Sequence, residues 1–206
     1  MAAILGFVEL LQAGGLEPSD EREFLRRVKS EVERIHRIIR ELLDYSRAEP
    51  VAQADESSDL AHVVEESVKL VAPQKDLRNI TIERRFAEHT SRVRGAEGDL
   101  TQLVLNLLLN AADAVNGDGS ILIELSEPAE QPDQVVLAIS DSGCGIPEAL
   151  KDKLFEPFVT SKPPGKGTGL GLAVSHAIVL RLGGSIRGDN RASGGARFEV
   201  RLPKRR

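Results

Sequence analysis

The sequence has one cysteine, Cys144, and no apolar run long enough to cross a bilayer. A single thiol excludes an intramolecular disulfide and is compatible with a reducing cytosol. The N-terminus lacks the basic start of a signal peptide, so we expect a cytoplasmic chain whose membrane anchor, if there is one, lies upstream. The net charge of −5 gives no basic footprint for nucleic acid. P-loop kinases are set aside because no Gly-Lys-Ser or Gly-Lys-Thr loop is present.

The first 47 residues have the pattern of a helical hairpin. Ile4, Val8 and Leu11 mark one apolar helix, and the chain then breaks at "AGGLEPSD". A second helix starts near Ser19 or Asp20, either of which can cap it. Its heptad seam consists of Leu25, Val28, Val32, Ile35, Ile39 and Leu42. We predict a dimerisation domain over residues 1–47, in which a second copy completes a four-helix bundle. The alternative is that the hairpin packs on the rest of its own chain.

A different composition begins after the hairpin. Residues 48–58 are rich in Pro, Ala, Ser and acids, which predicts a linker, and residues 59–206 form the second domain. A capped helix covers residues 58–71 and a long helix begins at Asp99. Alternating or apolar strands are predicted at residues 80–86, 120–125, 134–140, 185–190 and 196–202. The chain is therefore predicted to be α+β, with the second domain an α/β sandwich whose helices cover one face of a mixed sheet.

Two asparagines interrupt the long apolar helix. Asn106 and Asn110 are four residues apart, so their amides emerge on one face, one turn apart. An amide oxygen is a hard ligand that suits Mg²⁺, which keeps waters and shares its coordination with substrate phosphates. The alternative is that the amides satisfy each other or nearby backbone groups.

The stretch "ISDSGCGIP" ends a predicted strand at Asp141 and follows it with Gly143 and Gly145. A carboxylate at a strand end, held by a Gly-x-Gly turn, can accept a hydrogen bond from an exocyclic amine such as that of adenine. An Asp-Ser-Gly turn alone is common, so this motif needs support from the rest of the chain.

The stretch "LFEPFVTSKPPGKGTGLGL" combines an aromatic plug, Phe155 and Phe158, with a Pro- and Gly-rich segment that we predict to be a mobile lid. Glycine-rich backbone at the start of a helix presents unpaired N–H groups that can bind an anion, most often a phosphate. The alternative is an ordinary Gly-rich surface loop before a helix.

In this order, the Asn helix, Asp-x-Gly-x-Gly, Phe-Glu-Pro-Phe and Gly-x-Gly-x-Gly resemble the N, G1, F and G2 boxes of two-component sensor histidine kinases, over residues 59–203. The resemblance implies ATP and Mg²⁺ as cofactors, Asn110 as the Mg²⁺ ligand with Asn106 beside it, and Asp141 as the adenine partner in a pocket shaped by Gly143 and Gly145. It further implies phosphate contacts from Lys162, Lys166, Gly167, Thr168, Gly169, Leu170 and Gly171. The lid is most similar to that of nitrogen-regulation-type sensors.

The same nucleotide fold occurs in gyrase-type ATPases and heat-shock chaperones, which place a glutamate one turn before the metal-binding Asn to activate water. This chain has Asn106 there, and an amide cannot take a proton at neutral pH. Hydrolysis as the main reaction is therefore disfavoured. A scaffold that holds ATP and binds a regulator is a third hypothesis.

In this family the phosphate goes to a histidine within His-Glu-x-x-Asn-Pro-Leu, and a neighbouring acid accepts the imidazole proton. The sequence starts at Met1, where the last Leu of that motif would stand, so we expect the acceptor histidine upstream of Met1 or lost. None of the remaining histidines has the motif: we interpret His62, His89 and His176 as ordinary exposed positions and His36 as a surface or interhelical polar residue. The resemblance implies a homodimer that phosphorylates the aspartate of a response regulator receiver domain.

Overall fold

The computed structural model describes residues 2–14, 17, 19–29, 31, 32, 35, 56–73, 77–87, 92–163 and 167–205. Six residues named above, Met1, His36, Ile39, Leu42, His89 and Lys166, lie outside the described residues, as do residues 48–55 of the predicted linker. The chain divides into two compact units, Met1–Asp44 and Tyr45–Arg206.

The first unit contains the predicted hairpin helices. Helix α1 spans Ala2–Ala13, and the left-handed Gly14, at φ 70°, follows it directly. Helix α2 includes residues 19–29. The two helices contact each other through Phe7 and Phe24, whose ring centroids are 5.4 Å apart, and Arg27 lies 5.8 Å from the Phe7 ring centroid. Aromatic stacking with a cation over one ring therefore joins the helices of the hairpin.

The second unit is built on a five-stranded mixed sheet in the order β2-β4-β5-β7-β6. Its strands are β2 (Ile80–Phe86), β4 (Gly119–Ser126), β5 (Gln134–Asp141), β6 (Ser185–Asn190) and β7 (Ala196–Pro203). Strands β2 and β4 are parallel, whereas every other neighbouring pair is antiparallel. A separate ribbon pairs β1 (Ser57–Ser58), the last residues of the predicted linker, with β3 (Val93–Arg94).

Three helices lie against this sheet: α3 (Leu60–Val71), α4 (Glu97–Val115) and α5 (Gly171–Arg181). The Asp59 carboxylate caps α3 by accepting hydrogen bonds from the backbone N–H groups of Ala61 and His62, at 2.9 and 3.3 Å. Helix α4 begins at Glu97, two residues before the predicted start at Asp99, because both acids suit the first turn of a helix.

The core lies between the helices and one face of the sheet. Burial alternates along β4 and β7, as expected for strands with one face against a core. Helix α4 is the central element and contacts α3, α5, β4 and β5, with Leu103 and Leu107 fully buried. The predicted fold class, a helical hairpin followed by helices on one face of a mixed sheet, is confirmed. Within the described ranges, no helix combines the length and the apolar character that crossing a membrane requires.

Candidate nucleotide-binding site

The polar residues of α4 recur every three or four positions, so they form one face of the helix. Gln102, Asn106, Asn110 and Asp113 lie on this face, and Ala114 follows at its C-terminal end. Every predicted motif of the second unit contacts this face or lies beside it, as the following contacts establish.

Asn106 connects α4 to the start of α5. Its Nδ2 donates to the carbonyl oxygen of Gly171 at 3.1 Å, and its Oδ1 accepts from Gln102 Nε2 at 3.0 Å. The oxygen and the nitrogen of this amide are therefore both hydrogen-bonded within the protein. This agrees with the alternative to metal binding, in which a buried Asn is satisfied by neighbouring protein groups. This contact fixes the glycine loop, defined here as residues 167–171, against the Asn helix.

Asn110 lies one turn further along α4 and is half-buried. No described residue hydrogen-bonds its amide, which leaves the oxygen available to a ligand. The two asparagines thus differ, although the sequence presents them as an equivalent pair. Asn106 joins two helices, while Asn110 offers a hard oxygen between the glycine loop and the end of α4.

Asp141 ends the central strand β5 and is only 1% exposed. Its Oδ1 accepts hydrogen bonds from the backbone N–H groups of Gly143, at 2.8 Å, and Ala196, at 3.2 Å. Two N–H donors stabilise a buried carboxylate and fix its direction. Because no described residue binds Oδ2, that oxygen can accept from a ligand.

The turn after Asp141, residues 141–146 (the aspartate turn), packs tightly on the end of α4. A Cβ at Gly143 would lie 2.4 Å from both the carbonyl carbon and the oxygen of Ala114, and the Cys144 N–H donates to that oxygen at 3.2 Å. Gly145 has φ 75°, which favours glycine. The predicted glycines thus let the aspartate turn approach the Asn helix.

Gly195 is a site residue that the sequence analysis did not name. It has φ 80°, and a Cβ there would lie 2.0 Å from the backbone oxygen of Asp141 and 3.0 Å from its Oδ1. The Gly194-Gly195 pair before the last strand is a signal that could have identified it. Its function is to let β7 start directly beside Asp141.

The backbone of Phe158 holds the glycine loop, whereas its side chain is 66% exposed and does not form the predicted plug. The Phe158 N–H donates to the Gly169 carbonyl at 2.9 Å, and a Cβ at Gly169, whose φ is 70°, would lie 2.5 Å from the Phe158 carbonyl carbon. The lid segment, residues 159–163, leaves from this point. Thr168 Oγ1 accepts from the Leu170 N–H at 3.3 Å, which shapes the last turn before α5.

Lys162, predicted to contact phosphate, forms an ion pair with Asp113 on α4. A Cβ at Gly167 would lie 3.0 Å from Lys162 Cβ and 2.7 Å from Thr160 Oγ1, so the loop and the lid segment touch. No sequence pattern indicated a role for Asp113, because an acid near the end of a helix usually faces solvent.

The interpretation of His176 as an ordinary exposed position is wrong. Its ring is half-buried on α5 and stacks on Phe155, with centroids 5.2 Å apart. Phe155 is half-buried against the hydrophobic core, so the stack joins Phe155 to α5. His62 is exposed, as expected.

The described residues contain no cluster of three His, Cys, Asp or Glu side chains that could hold a metal. A divalent ion at Asn110 would therefore take most of its ligands from water and phosphate, which is the habit of Mg²⁺. Beyond the aspartate turn, a hydrogen bond from Lys151 to Glu148 raises the pKa of Lys151.

Two family models match the chain. Residues 95–206 match the family described as histidine kinase-, DNA gyrase B- and HSP90-like ATPases, and residues 1–51 match the His Kinase A (phospho-acceptor) domain. The chain belongs to the sensor histidine kinases. It contains the ATP-binding domain of a histidine kinase core, as the order of the four motifs predicted, and a HisKA domain where the hairpin pattern predicted a dimerisation domain.

Curated relatives agree with this assignment. The chain is 32% identical over 203 residues to the signal transduction histidine-protein kinase AtoS of Escherichia coli. The alignment covers 98% of this chain and 32% of AtoS. It is likewise 32% identical over 197 residues to the sensor histidine kinase ZraS of Salmonella typhi, covering 96% of this chain and 40% of ZraS. This histidine kinase core thus spans less than half of the length of these relatives.

Solved structures match both units. The mycobacterial sensor histidine kinase MprB is 32% identical with a TM-score of 0.64, over 73% of this chain and 97% of that one. The histidine kinase ThkA, crystallised with the response regulator TrrA, is 26% identical with a TM-score of 0.76, over 98% of this chain and 57% of that one. These matches favour the kinase interpretation over the scaffold and ATPase alternatives.

Proposed function

We propose that this histidine kinase core binds ATP with Mg²⁺ along α4 and donates the γ-phosphoryl group to a histidine, from which it passes to an aspartate of a receiver domain. One observation carries the proposal. The polar face of α4 contacts the glycine loop through Asn106, the lid segment through Asp113 and the aspartate turn through Ala114. Asn110 lies on the same face as these three contacts, and no described residue hydrogen-bonds its side-chain oxygen.

The adenine end of the site is assigned to Asp141. The exocyclic amine of adenine is a donor, and a buried carboxylate whose Oδ1 is fixed by two N–H groups presents Oδ2 as its acceptor. Gly143 and Gly145 contribute by keeping the aspartate turn close to α4. A base bound there would lie against the core, which is dry enough to strengthen the hydrogen bond.

The triphosphate end is assigned to Asn110, the glycine loop, and Lys162 and Lys166. Backbone N–H groups before and within the first turn of α5 favour anions. Asn110 would hold Mg²⁺, which neutralises charge on the phosphates when bound. Lys162 would move from Asp113 to the phosphates, because both partners are partly exposed and the exchange costs little free energy.

The partners follow from the first unit. Leu25 and Val32, both on the predicted heptad seam, are 51% exposed in the single chain. A second copy that completes a four-helix bundle would bury them, which supports a homodimer. The complex of ThkA with TrrA supports a receiver domain as the phosphoryl acceptor after the histidine. We further propose that this core acts in the cytoplasm, where ATP is available.

The replacement Asp141→Asn tests the adenine assignment. Asparagine keeps an Oδ1 for both backbone donors, so we expect the unfolding free energy to change by less than about 1 kcal/mol. ATP affinity should fall by about 30- to 100-fold, because a charge-assisted acceptor is lost and an NH₂ group can face the adenine amine. Isothermal titration with ATP, alongside chemical denaturation, measures both quantities. Equal losses in folding and binding would mean that Asp141 is structural.

Phosphoryl transfer is tested with γ-labelled ATP. We expect this chain to bind ATP without acquiring acid-labile label, and a version extended by the family His motif in front of α1 to become labelled. Self-labelling of the present chain would contradict the absence of an acceptor. Steady phosphate release would support the ATPase, and regulator binding insensitive to ATP would support the scaffold.

Asp113 competes with phosphate for Lys162 in this proposal. We expect Asp113→Asn to raise ATP affinity by about 2- to 5-fold at low salt and by less at high salt, because freed lysine and reduced negative charge both favour phosphate. Asp118→Asn is the matched control, since this exposed acid just beyond α4 has the same charge. A fall in affinity, or an equal rise in the control, would contradict the competition.

A further inference from the structure

The end of β6 holds the aspartate turn through side chains. Asn190 Oδ1 accepts from the Ile146 N–H at 2.6 Å, and Asn190 Nδ2 donates to the Ile146 carbonyl at 2.8 Å. One side-chain amide therefore binds both backbone groups of a single residue, as a neighbouring strand would. The next residue, Arg191, donates from Nη1 to the Asp141 carbonyl at 2.8 Å.

These three hydrogen bonds, the β6 clamp, hold both ends of the aspartate turn. Asp141 and Ile146 are the first and last residues of that turn, and both are buried. The fit is close, because a Cβ at Gly145 would lie 2.7 Å from Asn190 Oδ1. Buried backbone groups at a turn need partners, and here the partners come from residues 44 and 50 positions later in the chain.

The clamp controls the direction of the Asp141 carboxylate. The Gly143 N–H that holds Oδ1 belongs to the turn, so a shift of the turn moves the carboxylate relative to a bound base. A fixed carboxylate accepts from the amine of adenine, whereas guanine presents a carbonyl oxygen at the same edge and is repelled. Discrimination between the bases therefore requires that the carboxylate cannot move.

We propose that Asn190, assisted by Arg191, is a positioning residue that sets the preference for adenine over guanine nucleotides. The inference rests on the proposed function, since it presumes that Asp141 binds the base. Asn190 does not touch the nucleotide in this account. It acts through Ile146 and Gly143 on Asp141.

The test compares Asn190→Ala and Asn190→Asp with the control Asp189→Asn. Asp189 precedes Asn190 on β6, and its exposed side chain points to the opposite face of the sheet. Asn190→Asp keeps an acceptor for the Ile146 N–H but sets a carboxylate oxygen against the Ile146 carbonyl. Dissociation constants for ATP and GTP are measured by titration at a temperature where denaturation curves report full folding.

For Asn190→Ala we expect ATP affinity to fall by about 10-fold, the loss expected for two hydrogen bonds that hold the turn. GTP affinity should change much less, so the ratio of the two dissociation constants should approach one. Asn190→Asp should lose the preference to at least the same degree, and Asp189→Asn should keep it. A purely structural defect lowers the folded fraction for both nucleotides equally and leaves the ratio unchanged.

The outcomes separate the clamp from the proposed function. If the unmodified chain binds ATP no better than GTP, the assignment of Asp141 to adenine fails. If the unmodified chain prefers ATP and Asn190→Ala retains that preference, the site stands and the clamp is overturned. Retention of the preference by Asn190→Asp alone would overturn the role of the bond donated to Ile146.

Discussion

Gly195→Ala is expected to destabilise the second unit by more than about 3 kcal/mol and to abolish detectable ATP binding, because a methyl group there meets backbone rather than a side chain. The added Cβ would lie 2.0 Å from the Asp141 carbonyl oxygen, in a position where φ is 80°. Neither the oxygen nor the left-handed backbone can relax without moving the end of β5. The Ala196 N–H, which binds the Asp141 carboxylate, would move as well.

Chemical denaturation and ATP titration measure the two parts of this prediction. Gly98→Ala is the matched control, because Gly98 lies in α4 and a Cβ added there would meet nothing within 4 Å. We expect that control to be stabilised by up to about 1 kcal/mol, since alanine favours helix over glycine. If Gly195→Ala kept both its stability and its ATP affinity, the close approach of β7 to Asp141 would be irrelevant to the site.

The sequence was informative wherever a repeating pattern encoded an element. Alternation identified the strand at residues 80–86, and the capped helix predicted over residues 58–71 matches α3, which Asp59 caps. These features are local, since each depends on neighbours within one turn of helix or one strand. The predicted strands at residues 134–140 and 185–190 likewise match β5 and β6 within one residue.

The two-residue strands β1 and β3 were not predicted, because a pair so short has no period to detect. The contacts that arrange the site could not be predicted from local sequence patterns either. In the sequence, Asn190 is an ordinary polar residue of a strand. Its contact with the aspartate turn, 44 residues earlier in the chain, exists only because the fold brings β6 beside that turn. Asp113 acquires a role only when the lid segment brings Lys162 to it. Such side-chain contacts depend on tertiary packing rather than on spacing.

The asparagine pair illustrates the same limit at the centre of the site. Spacing placed Asn106 and Asn110 on one face, which the structure has, but it could not distinguish them. Asn106 is engaged at Nδ2 by the Gly171 carbonyl, a contact that depends on the position of α5, and at Oδ1 by Gln102. We therefore assign the proposed Mg²⁺ ligand to Asn110 and not to Asn106.

Asn110→Ala is expected to lower ATP affinity in Mg²⁺ by more than about 100-fold, to the value that the unmodified chain has in EDTA. The variant should then be indifferent to EDTA, because its remaining contacts with the nucleotide do not use the ion. The half-buried side chain has no described hydrogen-bond partner, so the unfolding free energy should change by less than about 1 kcal/mol.

Asn110→Asp distinguishes a metal ligand from a residue that merely fills space. Aspartate has nearly the same shape and retains an oxygen for Mg²⁺, so this variant should keep an affinity that EDTA abolishes. Alanine removes the oxygen and should lose that dependence. Titration of ATP with and without EDTA against all three chains gives the answer. If Asn110→Ala responded to EDTA as the unmodified chain does, the ion would be held elsewhere, and the assignment of Asn110 would be wrong.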